Sequence, residues 1–349
     1  MSSLSPQAIE KFAEHGIITD LARLLQSRHW AQNLKLFSRQ AARSMLLGNI
    51  RSRFRGRGME FEEVRRYQAG DDIRTIDWKV SARVGKTYTK LFCEERERPC
   101  HIMVDQRSSL YFGSQRQFKS VLAAEIATGL AWAGLAGGDR VGGQVIGDYN
   151  VRDCRGRRNK QAVLHFIHDL HELNHALLTP AQSSLERANS LERANSLEPK
   201  NSLEHVNSPE PKNSTKQKTD NRSSLASSLE ECRRITRPGT AIFIISDFHD
   251  IDAEATKALS KLGKHADITL LQVSDPLEED LPFKGNIAIS NGQKSRTVSV
   301  SKKVKQDYLD QLTEQDTALK SACAHARAMY KKIDTTQSAR EALISIFAK

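Results

Sequence analysis

The chain has 349 residues, of which 38% are hydrophobic and 27% charged, and its formal net charge is +11 at pH 7. This length can bury a substantial core, so we expect one main domain with additions. Five scattered cysteines argue against zinc ribbons and disulfide frameworks and favour a reducing compartment. The positive charge indicates an acidic partner surface, a nucleic acid or anionic lipid, without choosing among them.

The N-terminal part of the chain raises the question of a membrane. Residues 1–16 lack the basic region, apolar core and cleavage site of a secretory signal, and no apolar run reaches the roughly 20 residues of a membrane span. We therefore expect a cytoplasmic protein. Residues 17–57 alternate leucines with arginines around Trp30. Such a cationic amphipathic pattern is typical of a helix that either lies on a membrane as a peripheral contact or packs on its own domain.

Residues 51–98 are the most charge-dense part of the chain. Opposite charges at this density pair into networks, and a charged patch of this size can also form an interface. Arginines flank Gly56, but no Lys-Ser/Thr follows a glycine loop, so P-loop and dinucleotide sites are excluded. A basic surface for nucleic acid or anionic membrane stays open as an alternative. The charged signature of this region consists of Arg65, Arg66, Gly70, Asp71, Asp72, Arg74, Asp77, Trp78 and Arg83.

Residues 101–113 combine an apolar strand with a polar loop, HIMVDQRSSLYFG. Asp105 stands at the carboxyl end of this strand, where open α/β sheets place their ligands. Together with Arg107 and Ser109 it gives the spacing Asp-x-Arg-x-Ser, which resembles the metal-binding Asp-x-Ser-x-Ser loop of von Willebrand factor A domains. In this MIDAS-like loop, Arg107 replaces an oxygen ligand by a guanidinium, which has donors only and a permanent charge.

Beyond residue 99, predicted strands and helices alternate. The run of residues 242–245 is apolar on both faces, which is typical of a parallel sheet covered by helices on both sides. We predict an α/β fold with a doubly wound, mostly parallel sheet that is von Willebrand factor A-like and Rossmann-like, preceded by a charged N-terminal region. Strands are predicted over residues 101–105, 141–146, 149–153, 241–248 and 267–273, and helices over residues 118–135, 160–177, 225–235, 253–262 and 301–329.

Two regions follow from this pattern. Residues 1–98 form a helical and charged signature region, and residues 99–349 form the α/β domain. Within that domain, residues 180–222 carry a decaying hexapeptide repeat that begins SLERAN. Six residues match no helical or solenoid period and the repeat is polar, so we predict a disordered insertion.

Asp247 ends a second buried strand and gives Asp105 a partner at the same edge of the sheet. Three interpretations stay open. In the first, Asp105, Ser109 and Asp247 supply oxygen ligands to a metal such as Mg²⁺, and in the second the two aspartates cap the helices that follow them. Alternatively, Arg107 bridges the two carboxylates and fills the cation position. Apart from Mg²⁺, we expect no cofactor.

A rival motif occurs at residues 171–175, where the sequence HELNH matches the zinc-peptidase pattern HExxH. We expect His168, His171 and His175 on the solvated side of their helix, opposite an apolar face that includes Phe166 and Leu170. A catalytic zinc needs a water-excluded cleft and a third protein ligand. A metallopeptidase is therefore the least favoured function.

A family resemblance is carried by GRGMEFEEVRRYQAGDDIRTIDWKVSAR, KLFCEERERP, MVDQRSSLYFG, GDRVGG and IISDF. These segments resemble the bacterial domain of unknown function fifty-eight family, which has a von Willebrand factor A-like domain and is commonly encoded beside MoxR-type AAA+ ATPases. The resemblance covers about residues 46–349 apart from the repeat. It implies a non-enzymatic partner or adaptor of such an ATPase and its client protein in complex maturation or stress response. It implies no nucleic acid partner.

Overall fold

The structure is a computed structural model that describes residues 11–36, 59–94, 99–178, 223–279, 285–290, 295–300 and 302–347. Its strands are β1 (Met59–Arg66), β2 (Tyr88–Glu94), β3 (Cys100–Asp105), β4 (Val141–Ile146), β5 (Val151–Arg157), β6 (Ala241–Ser246), β7 (Asp267–Ser274), β8 (Gly285–Ser290), β9 (Ser295–Val300) and β10 (Met329–Asp334). Its helices are α1 (Leu21–Gln26), α2 (Arg28–Ala31), α3 (Trp78–Val84), α4 (Lys119–Ala136), α5 (Lys160–Ala176), α6 (Leu225–Ile235), α7 (Ala253–Leu262), α8 (Pro276–Glu279), α9 (Lys302–Ala326) and α10 (Ala339–Phe347).

The chain divides into two compact units. The described residues 59–94 belong to the smaller one, called here the signature unit, and the others belong to the α/β unit. The described residues 11–36 belong to the α/β unit, whereas the sequence placed them with the charged region. The repeat insertion at 180–222 lies outside the described residues, as do residues 37–58 of the predicted amphipathic segment.

The α/β unit is built on a six-stranded sheet with the order β10-β7-β6-β3-β4-β5. Neighbouring strands are parallel except for the antiparallel edge strand β5, which confirms the predicted mostly parallel sheet. The first strand of this sheet along the chain is the central strand β3. The chain then passes outward through β4 and β5 and returns to β6 on the other side of β3. The winding direction therefore reverses between β3 and β6, which is where such sheets open a crevice beyond the carboxyl ends of their strands.

Helices cover both faces of this sheet. Met103 of β3 and Ile244 of β6 pack in one cluster with residues of α6, α7 and α9. Phe243, the neighbour of Ile244 along β6, points the opposite way and meets Phe347 of α10 at a ring distance of 5.9 Å. Helix α4 contacts β3 and β4 and is buried along most of its length, as expected for a helix that is apolar all round.

The N-terminal segment packs on α4. An added Cβ at Gly129 would lie 2.5 Å from the Trp30 ring, so Gly129 lets the indole approach the helix backbone closely. In the described part of residues 17–57 the chain forms the two short helices α1 and α2 rather than one long amphipathic helix. Of the two alternatives for this segment, membrane contact or packing on its own domain, Trp30 therefore shows the second. None of the described helices is both long enough and apolar enough to cross a bilayer.

The C-terminal prediction was wrong in one respect. The last predicted helix ends at Ala326 instead of continuing to residue 329, and a strand and a further helix follow it. Arg327 adopts a left-handed conformation with φ 54°, so the helix stops without the glycine that usually marks such an end. Strand β10 lies at the edge of the sheet and buries only Ile333, which follows two exposed lysines, so its sequence lacks the apolar run of the central strands.

Candidate functional site

The candidate site lies beyond the carboxyl ends of β3 and β6, where the winding of the sheet reverses. Asp105 is the last residue of β3 and Ser246 the last residue of β6. The Ser246 hydroxyl donates to Oδ2 of Asp105 at 2.7 Å, so the two strand ends are joined directly. Asp105 is only 1% exposed, which makes its carboxylate dependent on protein partners for its hydrogen bonds.

Arg107 supplies most of those bonds. Its Nε donates to Oδ1 of Asp105 at 2.9 Å, and its Nη2 donates to Oδ2 at 2.6 Å. The same guanidinium reaches Asp250, with Nη1 at 2.5 Å from Oδ2 and Nη2 at 2.9 Å from Oδ1. Nη1 also donates to the carbonyl oxygen of Ser223 at 3.3 Å. The guanidinium therefore lies between two carboxylates and makes the bidentate contacts for which its planar shape is suited.

Burial and ion pairing oppose each other in this cluster. Burial disfavours the charge of Arg107, but the hydrogen bonds with Asp250 and Asp105 outweigh it and raise the pKa of the guanidinium. Burial raises the pKa of the Asp105 carboxyl, and the bonds from Arg107 counteract that rise. At Asp250, where burial is weaker, the bonds from Arg107 hold the pKa below its ordinary value. Arg107 is thus the permanent cation on which both carboxylates depend.

The second carboxylate is Asp250 and not the predicted Asp247. Between them Phe248 has a φ of 55°, a left-handed conformation that is uncommon for a bulky side chain. The amide of Phe248 donates to the Ser246 hydroxyl at 3.0 Å, and the Phe248 ring is buried in the core. This turn directs Asp250 to Arg107, while Asp247 binds another cation.

Lys119 is the cation that Asp247 binds. Its ammonium lies 3.3 Å from Oδ2 of Asp247 and 2.5 Å from Oε1 of Glu278. Lys119 begins α4 and is buried, and although burial opposes its charge, Asp247 and Glu278 together raise its pKa. The sequence analysis missed Lys119, although a lysine at the start of an otherwise apolar run of helix was a signal for a buried ion pair.

The residues present do not fit a Mg²⁺ ion as they are arranged. Mg²⁺ requires near-octahedral oxygen ligands, whereas the oxygens of Asp105 and Asp250 receive N–H donors from Arg107. The predicted ligands Asp105 and Asp247 bind different cations, and Ser109 is exposed. Its neighbour Ser108 bonds Asp148 through both its amide and its hydroxyl, each at 3.0 Å. Of the three interpretations, the side-chain geometry matches the one in which Arg107 fills the cation position.

A further carboxylate at this edge, that of Asp275, was not predicted from the sequence. Asp275, which follows β7, is completely buried and accepts bonds from the hydroxyls of Ser114 and Thr335 at 2.5 and 2.6 Å. Burial alone would raise its pKa, but these bonds lower it. Asp275 thereby ties the loop after β3 to the ends of β7 and β10, so its arrangement is that of a structural anchor for the edge.

Most of the chain matches one known protein family. Residues 63–318 match the family described as "Protein of unknown function DUF58". The chain belongs to the DUF58 family. The match includes most of the signature unit together with both strand ends of the candidate site.

Individual proteins are also similar to this chain. The DUF58 chain is 23% identical over 279 residues to the uncharacterized protein Rv1480 of Mycobacterium tuberculosis and equally to the uncharacterized protein Mb1516 of Mycobacterium bovis, covering 79% of this chain and 75% of each relative. Among solved structures it is similar to the conserved hypothetical protein BatB from Bacteroides thetaiotaomicron, with 14% identity, a TM-score of 0.38, and coverage of 72% and 98% of the two chains. An aerotolerance-related membrane protein from Bacteroides fragilis gives 14% identity, a TM-score of 0.37, and coverage of 71% and 97%.

In the DUF58 signature unit, the acidic residues hold the backbone. Strands β1 and β2 pair antiparallel, and Asp71 beyond β1 accepts from Arg65 Nη2 at 2.7 Å and from the Gln68 amide at 2.9 Å. Asp72 accepts from the Arg74 amide at 3.0 Å in the turn that follows. Gly70, with φ 105°, has a backbone conformation that side-chain-bearing residues rarely adopt.

Asp77 has a similar structural role at helix α3. It caps the helix by accepting from the amides of Lys79 and Val80, both at 3.1 Å, and it lies 3.5 Å from the ammonium of Lys90. The bond from Val80 is the largest of the effects that lower its pKa. The acidic members of the signature therefore make contacts inside the unit, where they cap and brace the turns.

The tryptophan and three of the arginines of the signature face outward. Trp78, the first residue of α3, is 69% exposed, and Ile73 and Val84 are exposed as well. Arg66, Arg74 and Arg83 also lie on the surface. An exposed tryptophan with neighbouring arginines has the residue types that are enriched where proteins bind each other.

Helix α5 carries the HExxH pattern in a different setting from the one expected. His171 Nδ1 lies 3.0 Å from the Thr19 hydroxyl, and His175 Nε2 lies 2.9 Å from the Thr19 carbonyl oxygen, so both rings contact the N-terminal segment instead of solvent. Glu172 binds Arg152. Among the described residues no group of three His, Cys, Asp or Glu side chains could hold a metal ion.

Proposed function

We propose that this DUF58 protein is a non-enzymatic interaction module, the partner or adaptor of a MoxR-type AAA+ ATPase in the maturation of protein complexes or in stress response. The observation that carries the proposal is the position of Arg107 between Asp105 and Asp250. In a von Willebrand factor A-like frame, that position would hold a metal ion whose coordination the ligand completes. A guanidinium there gives the sheet edge a fixed charge pattern without an ion.

The arrangement at this edge also suits binding better than catalysis. Arg107 and Lys119 each hold two carboxylates in ion pairs, so the strongest charges of the site are engaged with one another. A general acid or base needs a pKa near the working pH and access to a substrate proton. A rigid, charge-paired edge instead supplies complementarity, which sets the specificity and the rate of association.

The outward face of the signature unit is the proposed contact for the ATPase. Trp78 and Ile73 offer apolar area, and Arg74 and Arg83 surround it with positive charge. Such a surface fits a partner with an apolar pocket and an acidic rim.

The test is reconstitution with the MoxR-type ATPase that is encoded nearest to this chain's gene. We expect the purified full-length chain to co-elute with the ATPase and to change its rate of ATP hydrolysis. The variant Trp78→Ala should weaken that complex by about tenfold or more, because exposed tryptophans at the centre of interfaces contribute roughly 2 kcal/mol or more. Its stability should stay within about 0.5 kcal/mol of wild type, since the residue is exposed.

Ile235→Ala is the matched control. Ile235 is another exposed apolar residue, at the end of α6 in the α/β unit, and its truncation should leave ATPase binding unchanged. Absence of both binding and any change in ATP hydrolysis would refute the adaptor proposal. Equal weakening by the two variants would refute the assignment of the contact to the signature unit.

A further inference from the structure

A cavity of about 350 Å³ lies beside the candidate site, on the side of β7 and α9. Lys119 and Asp247 line it at the sheet edge, Ser274 lines it at the end of β7, and Leu312 and Asp316 line it on α9. This volume falls within the range of small ligand sites. The cavity is separate from the Arg107 cluster, because neither Arg107 nor Asp105 lines it.

The charge of the cavity is negative, although the chain as a whole carries +11. Four carboxylates line it, from Asp247, Glu278, Glu279 and Asp316, against the two ammonium groups of Lys119 and Lys332. Lys119 is held by Asp247 and Glu278, and Lys332 lies 2.8 Å from Glu279. Asp316 has no ion-pair partner among the described residues. Two negative charges are therefore in excess.

Carboxylates of the cavity also add to the burial that raises the pKa values of two tyrosines, Tyr308 and Tyr330. Burial raises the pKa of Tyr308, which lines the cavity, and Glu278 raises it further. Burial likewise raises the pKa of Tyr330 to about 12, with further contributions from Asp316 and Glu279. A negatively charged site disfavours another anion such as a phenolate and favours a cation.

A second observation, independent of charge, points to a ligand that forms hydrogen bonds. Ser274 is 6% exposed, and its hydroxyl oxygen has no hydrogen-bond partner among the described residues. A buried polar atom without a partner is uncommon and is costly unless something satisfies it. Apolar surface accompanies it, since Phe112 and Leu312 also line the cavity.

We propose that this cavity binds a basic side chain, arginine or lysine, presented by a partner protein. The aliphatic stem of such a side chain packs on Phe112 and Leu312, its charge pairs with Asp316, and its N–H groups reach acceptors such as the Ser274 hydroxyl. Long basic side chains combine these features, because their stems are apolar and only their tips are charged. An anionic ligand would instead meet the excess of carboxylates.

This inference deepens the proposed function, because it takes the ligand to be a side chain of the protein partner. The occupant is a protein rather than a free cation for a geometric reason. Ser109 and His249 are exposed residues of the sheet edge and also line the cavity. The cavity therefore opens onto the same surface as the charge-paired sheet edge of the proposed function. A partner that covers this edge brings its own side chains to the opening.

The first experiment uses small probes on the full-length chain. N-acetyl-arginine methylamide is titrated in an NMR experiment with methyl-labelled leucines, and the isosteric citrulline derivative serves as the uncharged control. We expect saturable shifts with the arginine probe and affinity at least about tenfold lower for citrulline, since only the charge differs. Equal binding of the two probes, or binding of neither, would overturn the proposal.

Variants locate the binding. Asp316→Asn removes the unpaired charge with little change of shape and should weaken the arginine probe about two- to fivefold, in the range of one partly exposed charge contact. Glu314→Gln makes the same charge change on the same helix at an exposed residue that does not line the cavity, and should have no effect. Equal weakening by both would show unspecific attraction and overturn the site.

A third probe distinguishes a basic side chain of a protein from the free amino acid. Free arginine carries an α-carboxylate that the blocked probe lacks, and a site for a side chain should bind the blocked form at least as well. Clear preference for free arginine would overturn the assignment to a partner protein. None of these measurements involves the ATPase, so failure of the probes and failure of the adaptor proposal are distinguishable.

Discussion

Arg107 and Asp250, 143 residues apart in the sequence, form a two-point contact that joins the loops after β3 and β6. The guanidinium simultaneously holds Asp105 by Nε and Nη2, so one side chain links the two strands between which the winding of the sheet reverses. This contact closes the position where an open α/β sheet would otherwise offer a ligand its most favourable charges.

The first prediction concerns the stability of this link. Arg107→Met should lower the free energy of unfolding by about 3–5 kcal/mol, because it leaves the buried Asp105 carboxylate without its cation. Urea denaturation followed by circular dichroism measures the change. Arg152→Met is the control, since that guanidinium is 35% exposed while it binds Asp169 and Glu172, and its loss should cost only about 0–1 kcal/mol. Similar losses for both variants would contradict the structural role of Arg107.

The second prediction concerns metal binding. We expect no Mg²⁺ binding at millimolar concentrations in wild type, because Arg107 occupies the cation position. Arg107→Ser removes the guanidinium and adds a hydroxyl oxygen, so Mg²⁺ should raise the melting temperature of this variant. Arg107→Met vacates the same position without an oxygen ligand and should respond less. Magnesium binding by the wild-type protein, measured by calorimetry, would be the contradicting result.

The fold was largely predictable because its central strands are apolar on both faces. Strands β3, β4 and β6 are buried at every position, and β6 shows this most clearly in its continuous apolar run from Ala241 to Ile245. Strand β10 was not predictable in this way. It lies at the edge of the sheet, and only Ile333 among its residues is buried, so the run MYKKID carries no comparable signal.

The site was predictable at its strand end but not beyond it. Asp105 and Arg107 follow directly from the end of a buried strand, whose direction fixes where they project. Asp250 lies four residues past the end of β6, and its direction depends on the left-handed turn at Phe248. Such a turn usually occurs at glycine or asparagine, so the sequence contains no sign that Asp250 rather than Asp247 meets Arg107.

The third prediction tests the packing of the N-terminal segment on α4. A Cβ at Gly129 would lie 2.5 Å from the Trp30 ring and 2.8 Å from Leu343 Cδ1, so Gly129→Ala should destabilise the protein by about 1–3 kcal/mol. At Gly134 the nearest atom, Val141 Cγ2, lies 3.0 Å away and the next at 3.7 Å. Gly134→Ala should therefore cost less. Limited proteolysis should show faster cleavage within residues 11–36 in the Gly129 variant only.

The fourth prediction concerns pH. Burial, together with the neighbouring His175 and His168, lowers the pKa of His171 from 6.5 to about 4. The folded state therefore binds this proton less readily than the unfolded state, so the stabilising contribution of neutral His171 is complete above pH 6.5. It is lost as the pH falls from 6.5 towards 4. The same sign applies to His101 of β3, where burial lowers the pKa to about 4.

Unfolding free energies measured between pH 4 and 7 test this sign and its origin. His171→Asn should reduce the slope of stability against pH by up to one proton, about 1.4 kcal/mol per pH unit. His165→Asn, at an exposed residue of α5 that is not among the groups that lower the pKa of His171, should leave the slope unchanged. Because His171 contacts Thr19, acidification of wild type should also expose residues 11–36 to proteolysis before the sheet unfolds. A slope that is identical in wild type and in His171→Asn would place the acid sensitivity elsewhere, with His101 as the remaining buried imidazole on β3.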